Sequence, residues 1–116
     1  MALPDQAEPA DKFGLPSHVM TELKSLFARH PAIEEVTLYG SRAKGNYRYN
    51  SDIDLMLTAP GLSWPEFNEI ELEIDDLLLP WKVDLALKHQ VDNPELLEHV
   101  RRVGIQVVNA KPCRAR

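Results

Sequence analysis

Apolar side chains recur along the chain at two alternating periods. Val19, Met20, Leu23, Leu26 and Phe27 fall at helical spacing, which predicts an amphipathic helix over Ser17 to Arg29 with one buried stripe. Leu15-Pro16-Ser17 opens it and His30-Pro31 closes it. From Glu35 to Tyr39 the period changes to two. Val36 and Leu38 alternate with Thr37 and Tyr39, as expected of a strand. Asp52 to Thr58 is a second strand, with Ile53, Leu55 and Leu57 on the buried face and Asp52, Asp54 and Met56 on the other. Ala59-Pro60-Gly61 is a turn.

Helical spacing returns at Phe67, Ile70, Ile74, Leu77 and Leu78. Ser63-Trp64-Pro65-Glu66 has the form of a capping box at the start of that helix. Its opposite side carries Glu66, Glu69, Glu71, Glu73, Asp75 and Asp76 with no basic residue. Such a run reads as a solvated face, with docking of a basic partner as the other reading. Pro80 stops the helix. Trp81 to Leu87 alternates as a third strand, with Val83, Leu85 and Leu87 on one face and Asp84 and Ala86 on the other. Asn93-Pro94-Glu95 caps a last helix carrying Leu96, Leu97, Val100 and Val103. Gly104 is placed to end it, and Ile105 to Asn109 forms a short final strand.

The order α-β-loop-β-α-β-α-β defines an α/β chain of the α+β kind. A helix between two strands places those strands parallel in one sheet, whereas the strand-loop-strand unit is more simply antiparallel. The expectation is a mixed sheet of about four strands with flanking helices. Residues 15–109 form the domain, between a polar, flexible tail at 1–14 and a basic tail at 110–116. In that sheet the end of the first strand, the start of the second and the early part of the third share one edge. Gly40-Ser41, Asp52, Asp54 and Asp84 meet there.

Composition narrows the function. The chain of 116 residues carries a net charge of −5, which argues against direct nucleic-acid binding. No apolar run approaches a membrane span and no signal pattern opens the chain, so a cytoplasmic location is expected. Cys113 is the single cysteine and has no internal disulfide partner. His18, His30, His89 and His99 never fall at metal-binding helical spacing, so each reads as an ordinary surface or core histidine.

The candidate chemistry lies in residues 40–54. In a strand, residues i and i+2 share a face, so Asp52 and Asp54 project together. Three clustered carboxylates repel one another unless a cation lies between them. All-oxygen ligation suits Mg²⁺ or Mn²⁺ better than zinc. The Gly40-Ser41 turn lets a phosphate approach the backbone, Ser41 adds a hydroxyl, and Arg42, Lys44 and Arg48 are nearby cations. Two ions held by Asp52, Asp54 and Asp84 would activate an attacking hydroxyl and stabilise a leaving pyrophosphate. The spacing fits neither an EF-hand loop, since Met56 and Leu57 occupy later ligand positions, nor a Walker-type phosphate loop.

Gly40-Ser41, ten intervening residues from Arg42 to Ser51, Asp52-Ile53-Asp54, and Asp84 on a later strand resemble the motif of the nucleotidyltransferase superfamily that includes DNA polymerase beta. The Leu38-Tyr39-Gly40-Ser41-Arg42-Ala43-Lys44-Gly45 run and the Lys82-Val83-Asp84-Leu85 strand are most similar to its minimal nucleotidyltransferases. The match runs from about Leu15 to Asn109. The resemblance implies that Ser41 contacts the triphosphate of ATP, Asp52 and Asp54 the metal ions, and Asp84 the metal and the acceptor hydroxyl. It also implies a partner, a helical HEPN-type protein in a hetero-oligomer. In several such pairs the transferase is an antitoxin that adds AMP to a tyrosine of a HEPN toxin, a type VII toxin–antitoxin arrangement. The chain carries little besides the catalytic core, so its acceptor is expected in trans. Two alternatives remain: transfer to a small molecule or an RNA 3′ end through a separate substrate-binding subunit, and an antitoxin that neutralises its partner by contact alone.

Overall fold

The computed structural model of the chain describes residues 12–109. The alternating segment forms strand β1 (Glu35–Tyr39), and the second run forms β2 (Ile53–Thr58). They pair antiparallel, with Tyr39 opposite Asp54 and Val36 opposite Leu57. Helix α3 (Trp64–Asp76) carries the chain across to β3 (Val83–Leu87), which lies parallel to β2 with Asp54 beside Asp84. The last strand, β4 (Ile105–Asn109), joins the other side of β1 antiparallel, with a register shift between Val36 and Thr37. The sheet order is β3-β2-β1-β4. This is the mixed α/β sheet that the element order predicts.

Period-two alternation divides the sheet into two unlike faces. Val36, Leu38, Ile53, Leu55 and Leu57 are each fully buried in one cluster with Val19, Leu23, Leu26 and Phe27 of helix α1 (Ser17–Ala28) and Phe67, Ile70 and Ile74 of α3. The opposite face carries Thr37, Tyr39, Asp54, Met56 and Asp84, and helix α4 (Pro94–Val103) crosses it. Gly104 after α4 has extended backbone, φ −63° and ψ 145°. It is not a left-handed cap. A Cβ there would run into the Val100 carbonyl and the Thr37 methyl, so the glycine lets α4 turn closely back onto the sheet.

Several boundaries differ from the sequence expectation for physical reasons. The second strand begins at Ile53 and the third at Val83, leaving Asp52, Trp81 and Lys82 in the connections that frame the site. Helix α3 ends at Asp76. Leu78 follows with a left-handed φ of 56° and is 85% exposed, because Pro80 disfavours continuing the helix. The apolar stripe of α4 is only half-buried. Part of the expected tail is ordered, since Lys12–Gly14 forms a 3₁₀ turn with Phe13 against the core. The remaining N-terminal tail, residues 1–11, and the C-terminal tail, residues 110–116 with Cys113, lie outside the described residues.

The acidic face of α3 is not uniformly solvated. Ser63 caps the helix, its Oγ accepting from the Glu66 amide at 3.2 Å. The Glu66 carboxylate turns to His30 instead of completing the box. His30, buried at the end of α1, places Nδ1 2.9 Å from Glu66 and Nε2 3.1 Å from Glu73. Both ring nitrogens face carboxylates, an arrangement that a ring protonated on both nitrogens satisfies by donating to each. Burial opposes that charge, but the two glutamates outweigh it and raise the His30 pKa. Arg29 adds a 3.1 Å bond to Glu73.

Candidate active site

Strand β1 ends at Tyr39, and Gly40 turns the chain with φ 76° and ψ −156°. Few residues other than glycine adopt that conformation. It delivers Ser41 to the start of a four-residue helix, α2 (Ser41–Lys44), where sequence pattern alone predicts a loop. The first-turn amides of a helix lack intrahelical partners and favour an anion. Gly40 also lies against Asp54, whose Oδ2 occupies the place a Cβ at residue 40 would take. The turn and the carboxylate are built in van der Waals contact.

Asp54 is half-buried on β2 between Tyr39 of β1 and Asp84 of β3. Burial raises its pKa most, and the Asp84 and Asp52 charges add to it, pushing it up to about 6 against the opposing Arg42 and Lys82 charges. Tyr39 is pushed up to about 12, by burial first and then by Asp54 and Asp84, so its hydroxyl stays neutral. Asp52 and Asp84 are exposed. The structure therefore brings Gly40, Ser41, Asp52, Asp54 and Asp84 to one sheet edge. Among the described residues no three His, Cys, Asp or Glu side chains close into a ready-made metal cage. Mg²⁺ does not need one, since it keeps waters and shares its shell with substrate phosphates. The donor set fits such a cation: oxygen ligands, and a half-buried carboxyl whose ionisation a neighbouring positive charge would favour.

The three expected phosphate-binding cations separate. Arg42 is only 1% exposed and turns inward. Its Nη1 donates to the Phe13 carbonyl at 2.8 Å, and Nη2 to Tyr49 at 3.1 Å and Ser51 at 2.8 Å, with Nε also on Ser51 at 3.2 Å. The guanidinium lies 5.2 Å from the Tyr47 ring centroid and 5.8 Å from that of Trp81. Trp81 donates its own N–H to the Tyr49 carbonyl at 2.7 Å. Arg42 thus fixes the loop of residues 45–52, and its donors are committed to carbonyls rather than to a phosphate. Lys44 and Arg48 are exposed on the same connection, free of that structural duty.

Two residues that pattern reading passes over belong to this site. His99 of α4 accepts a hydrogen bond from the Gly40 amide through Nε2 at 3.2 Å and meets Tyr39 edge-on at 6.3 Å between centroids. Nothing in local sequence links residues 59 apart. Lys82, just before β3, acts on the Asp54 charge. Its place two residues before Asp84 in an alternating run is a signal that could have found it.

The polymerase beta nucleotidyltransferase family matches residues 21–112 of the chain. A provisionally named protein adenylyltransferase of Methanocaldococcus jannaschii, MJ1379, is 33% identical over 97 residues, covering 76% of this chain and 97% of that one. The chain belongs to the polymerase beta nucleotidyltransferase family and is a nucleotidyltransferase. Among solved structures, a toxin–antitoxin crystal structure with AMP-PNP superposes with a TM-score of 0.63 at 25% identity, over 82% of this chain and 74% of the other. The MntA–HepT toxin–antitoxin gives 0.60 at 21% identity, over 80% and 72%. A tri-AMPylated Shewanella oneidensis HEPN toxin in complex with its MNT antitoxin gives 0.60 at 20%, over 80% and 71%. These last two likenesses are of fold. Among the described residues no helix is long and apolar enough to cross a membrane.

Proposed function

We propose that this nucleotidyltransferase moves AMP from ATP to a tyrosine hydroxyl of a HEPN-type partner and releases pyrophosphate, using Mg²⁺ or Mn²⁺. The observation that carries this reading is the in-register pair Asp54 and Asp84, facing the Gly40-Ser41 turn across one sheet edge. The adenylyltransferase name of the M. jannaschii relative and the AMPylated HEPN toxin among the structural neighbours support the choice of AMP and acceptor.

In this reading Ser41 and the first-turn amides of α2 hold the triphosphate, with the exposed Lys44, Arg48 and Lys82 neutralising its charge. Asp52, Asp54 and Asp84 would hold two divalent ions, which when bound supply charge neutralisation at the phosphates and lower the pKa of the attacking hydroxyl. Asp84, exposed at the rim, takes up the proton of the acceptor hydroxyl. The acceptor oxygen bonds to the α-phosphorus, and the bond to the bridging oxygen breaks as pyrophosphate departs. No residue becomes covalently modified, so catalysis rests on positioning and charge.

The test is mass spectrometry of the HEPN-type partner after incubation with the chain, ATP and Mg²⁺. The reading expects one AMP mass added to a tyrosine by the wild type and none by an Asp52→Ala, Asp54→Ala double variant. If both proteins protect against the toxin equally and no adduct forms, inhibition works by contact and the transfer reading is wrong.

A further inference from the structure

Strand β3 ends the sheet, and among the described residues no strand pairs with its outer side. An open edge offers unpaired N–H and C=O groups to an extended chain. A 440 Å³ groove follows this edge on its α3 side, lined by Val83 and Leu85 of the strand and by Glu71, Leu72 and Asp75 of the helix. A second cavity of 230 Å³ shares Ile74, Asp75 and Val83 with it and reaches Trp81, beside the loop that frames the active site. Together the two cavities run along β3 to Trp81 and Lys82, which precede it. Val83 and Leu85 remain half-buried, and Leu72 is 64% exposed.

Charge identifies the occupant. Helix α3 carries six acidic residues and no basic one. Glu66 and Glu73 are committed to His30. Glu71 and Asp75 line the groove, and Asp76 and Glu69 stand exposed nearby. An apolar floor with an acidic wall complements a segment that alternates apolar and basic side chains.

We infer that an extended, basic, tyrosine-bearing segment of the acceptor protein adds as a strand to the edge of β3. This rests on the tyrosine-transfer reading and deepens it. In such a strand, successive side chains point to opposite faces. Apolar and basic side chains would enter the groove against Leu72, Val83 and Leu85. The residues between them would emerge on the opposite face, which carries Asp84 and Asp54. Strand addition therefore presents a tyrosine to the catalytic carboxylates by register alone, with main-chain bonds giving affinity and the groove giving specificity.

The probe is the blocked peptide Arg-Thr-Val-Tyr-Val-Thr-Arg, with a counterpart bearing Glu in place of Arg, titrated into the full chain and followed by amide NMR. The expected result is shifts at Val83, Leu85 and the Leu72 turn of α3. Affinity should be roughly 10-fold weaker for the acidic peptide, and for a Glu71→Lys, Asp75→Lys variant. Shifts on another face, or equal affinity in all three pairings, would overturn the inference. So would β3 shifts that follow protein concentration alone, since these assign the edge to a second copy. AMP transfer from Mg²⁺–ATP to the peptide is measured in parallel. Binding at β3 without transfer upholds the docking surface and counts against the tyrosine-transfer reading. Transfer that the charge-reversed variant performs equally well does the opposite.

Discussion

The Asp54 carboxylate fills the space that a side chain at Gly40 would need. This contact ties the Gly40 turn to the Asp54 carboxyl, so the two cannot be adjusted separately. Gly40→Ala must relieve both a positive φ and a collision with Asp54. It should cost about 1–3 kcal/mol of stability and lower transfer by at least roughly 100-fold. Asp54→Ala in the same chain should return part of the stability, without the activity. A urea double-mutant cycle checks this: strict additivity would show that the contact carries no energy.

Asp54 itself is held against its preference. Its carboxyl keeps a proton up to about pH 6 in the folded state and releases it near 3.8 when unexposed to these neighbours. The native state therefore binds more protons between those values, and stability falls as pH rises through them. The shift corresponds to a ceiling of about 3 kcal/mol, reduced to roughly 1–2 by solvent screening. Asp54→Asn should be more stable than wild type by that amount near pH 7.5 in a chelator, should lose the advantage below about pH 4, and should be inactive. Mg²⁺ should stabilise wild type more than the variant.

Arg42 is a structural residue in a site of cations. Arg42→Lys should be nearly as harmful as Arg42→Met, because an ammonium cannot span the carbonyls of Phe13, Tyr49 and Ser51 at once. Each should cost about 2–4 kcal/mol by denaturant unfolding, through the buried carbonyls left unpaired. Full stability with Lys would show that only charge matters.

His99 positions the turn from the opposite helix. His99→Leu leaves the Gly40 amide without its acceptor and should lower kcat by about 10-fold or more. His99→Gln retains an acceptor and should recover most of kcat. Equal kcat for the two variants, with equal thermal stability, would contradict the role.

The His30 cluster sets a pH window for stability. The raised His30 pKa means its contribution is complete below 6.5 and disappears as pH rises through the folded value. The lowered Glu73 pKa gives the opposite limb, present above 4.5 and lost as pH falls. The Tm difference between wild type and His30→Gln should therefore peak in weakly acidic solution and shrink toward alkaline pH. A difference that grows with pH would mean that His30 is buried neutral.

Hydrophobic periodicity made the strands and long helices legible, because one face of each element had to be buried. The alternation around Asp54 and Asp84 also disclosed the acidic edge, since residues of one strand face are fixed by the period, with Asp52 just before β2. Arg42, expected as a phosphate contact, is found turned inward onto carbonyls, and local sequence could not foretell it. A basic residue in a phosphate-like loop has the same local signature whether its donors meet phosphates or carbonyls, and only tertiary structure closes Phe13 and Tyr49 around it. His99 and the His30 pair were invisible for the same cause, as their partners lie on other elements. The half-open β3 edge followed from the sheet order, which spacing alone does not give.

The central claim is that the carboxylates at the Gly40-Ser41 edge carry transfer of a nucleotide rather than mere binding. Its most direct measurement compares ATP radiolabelled at the α-phosphorus with ATP labelled at the γ-phosphorus, incubated with the chain, Mg²⁺ and the HEPN-type partner. The account predicts α-label on a partner tyrosine, none from γ-label, and loss of the signal in the Asp52→Ala, Asp54→Ala variant. Label arriving from the γ-phosphate, or α-label persisting in that variant, would contradict it.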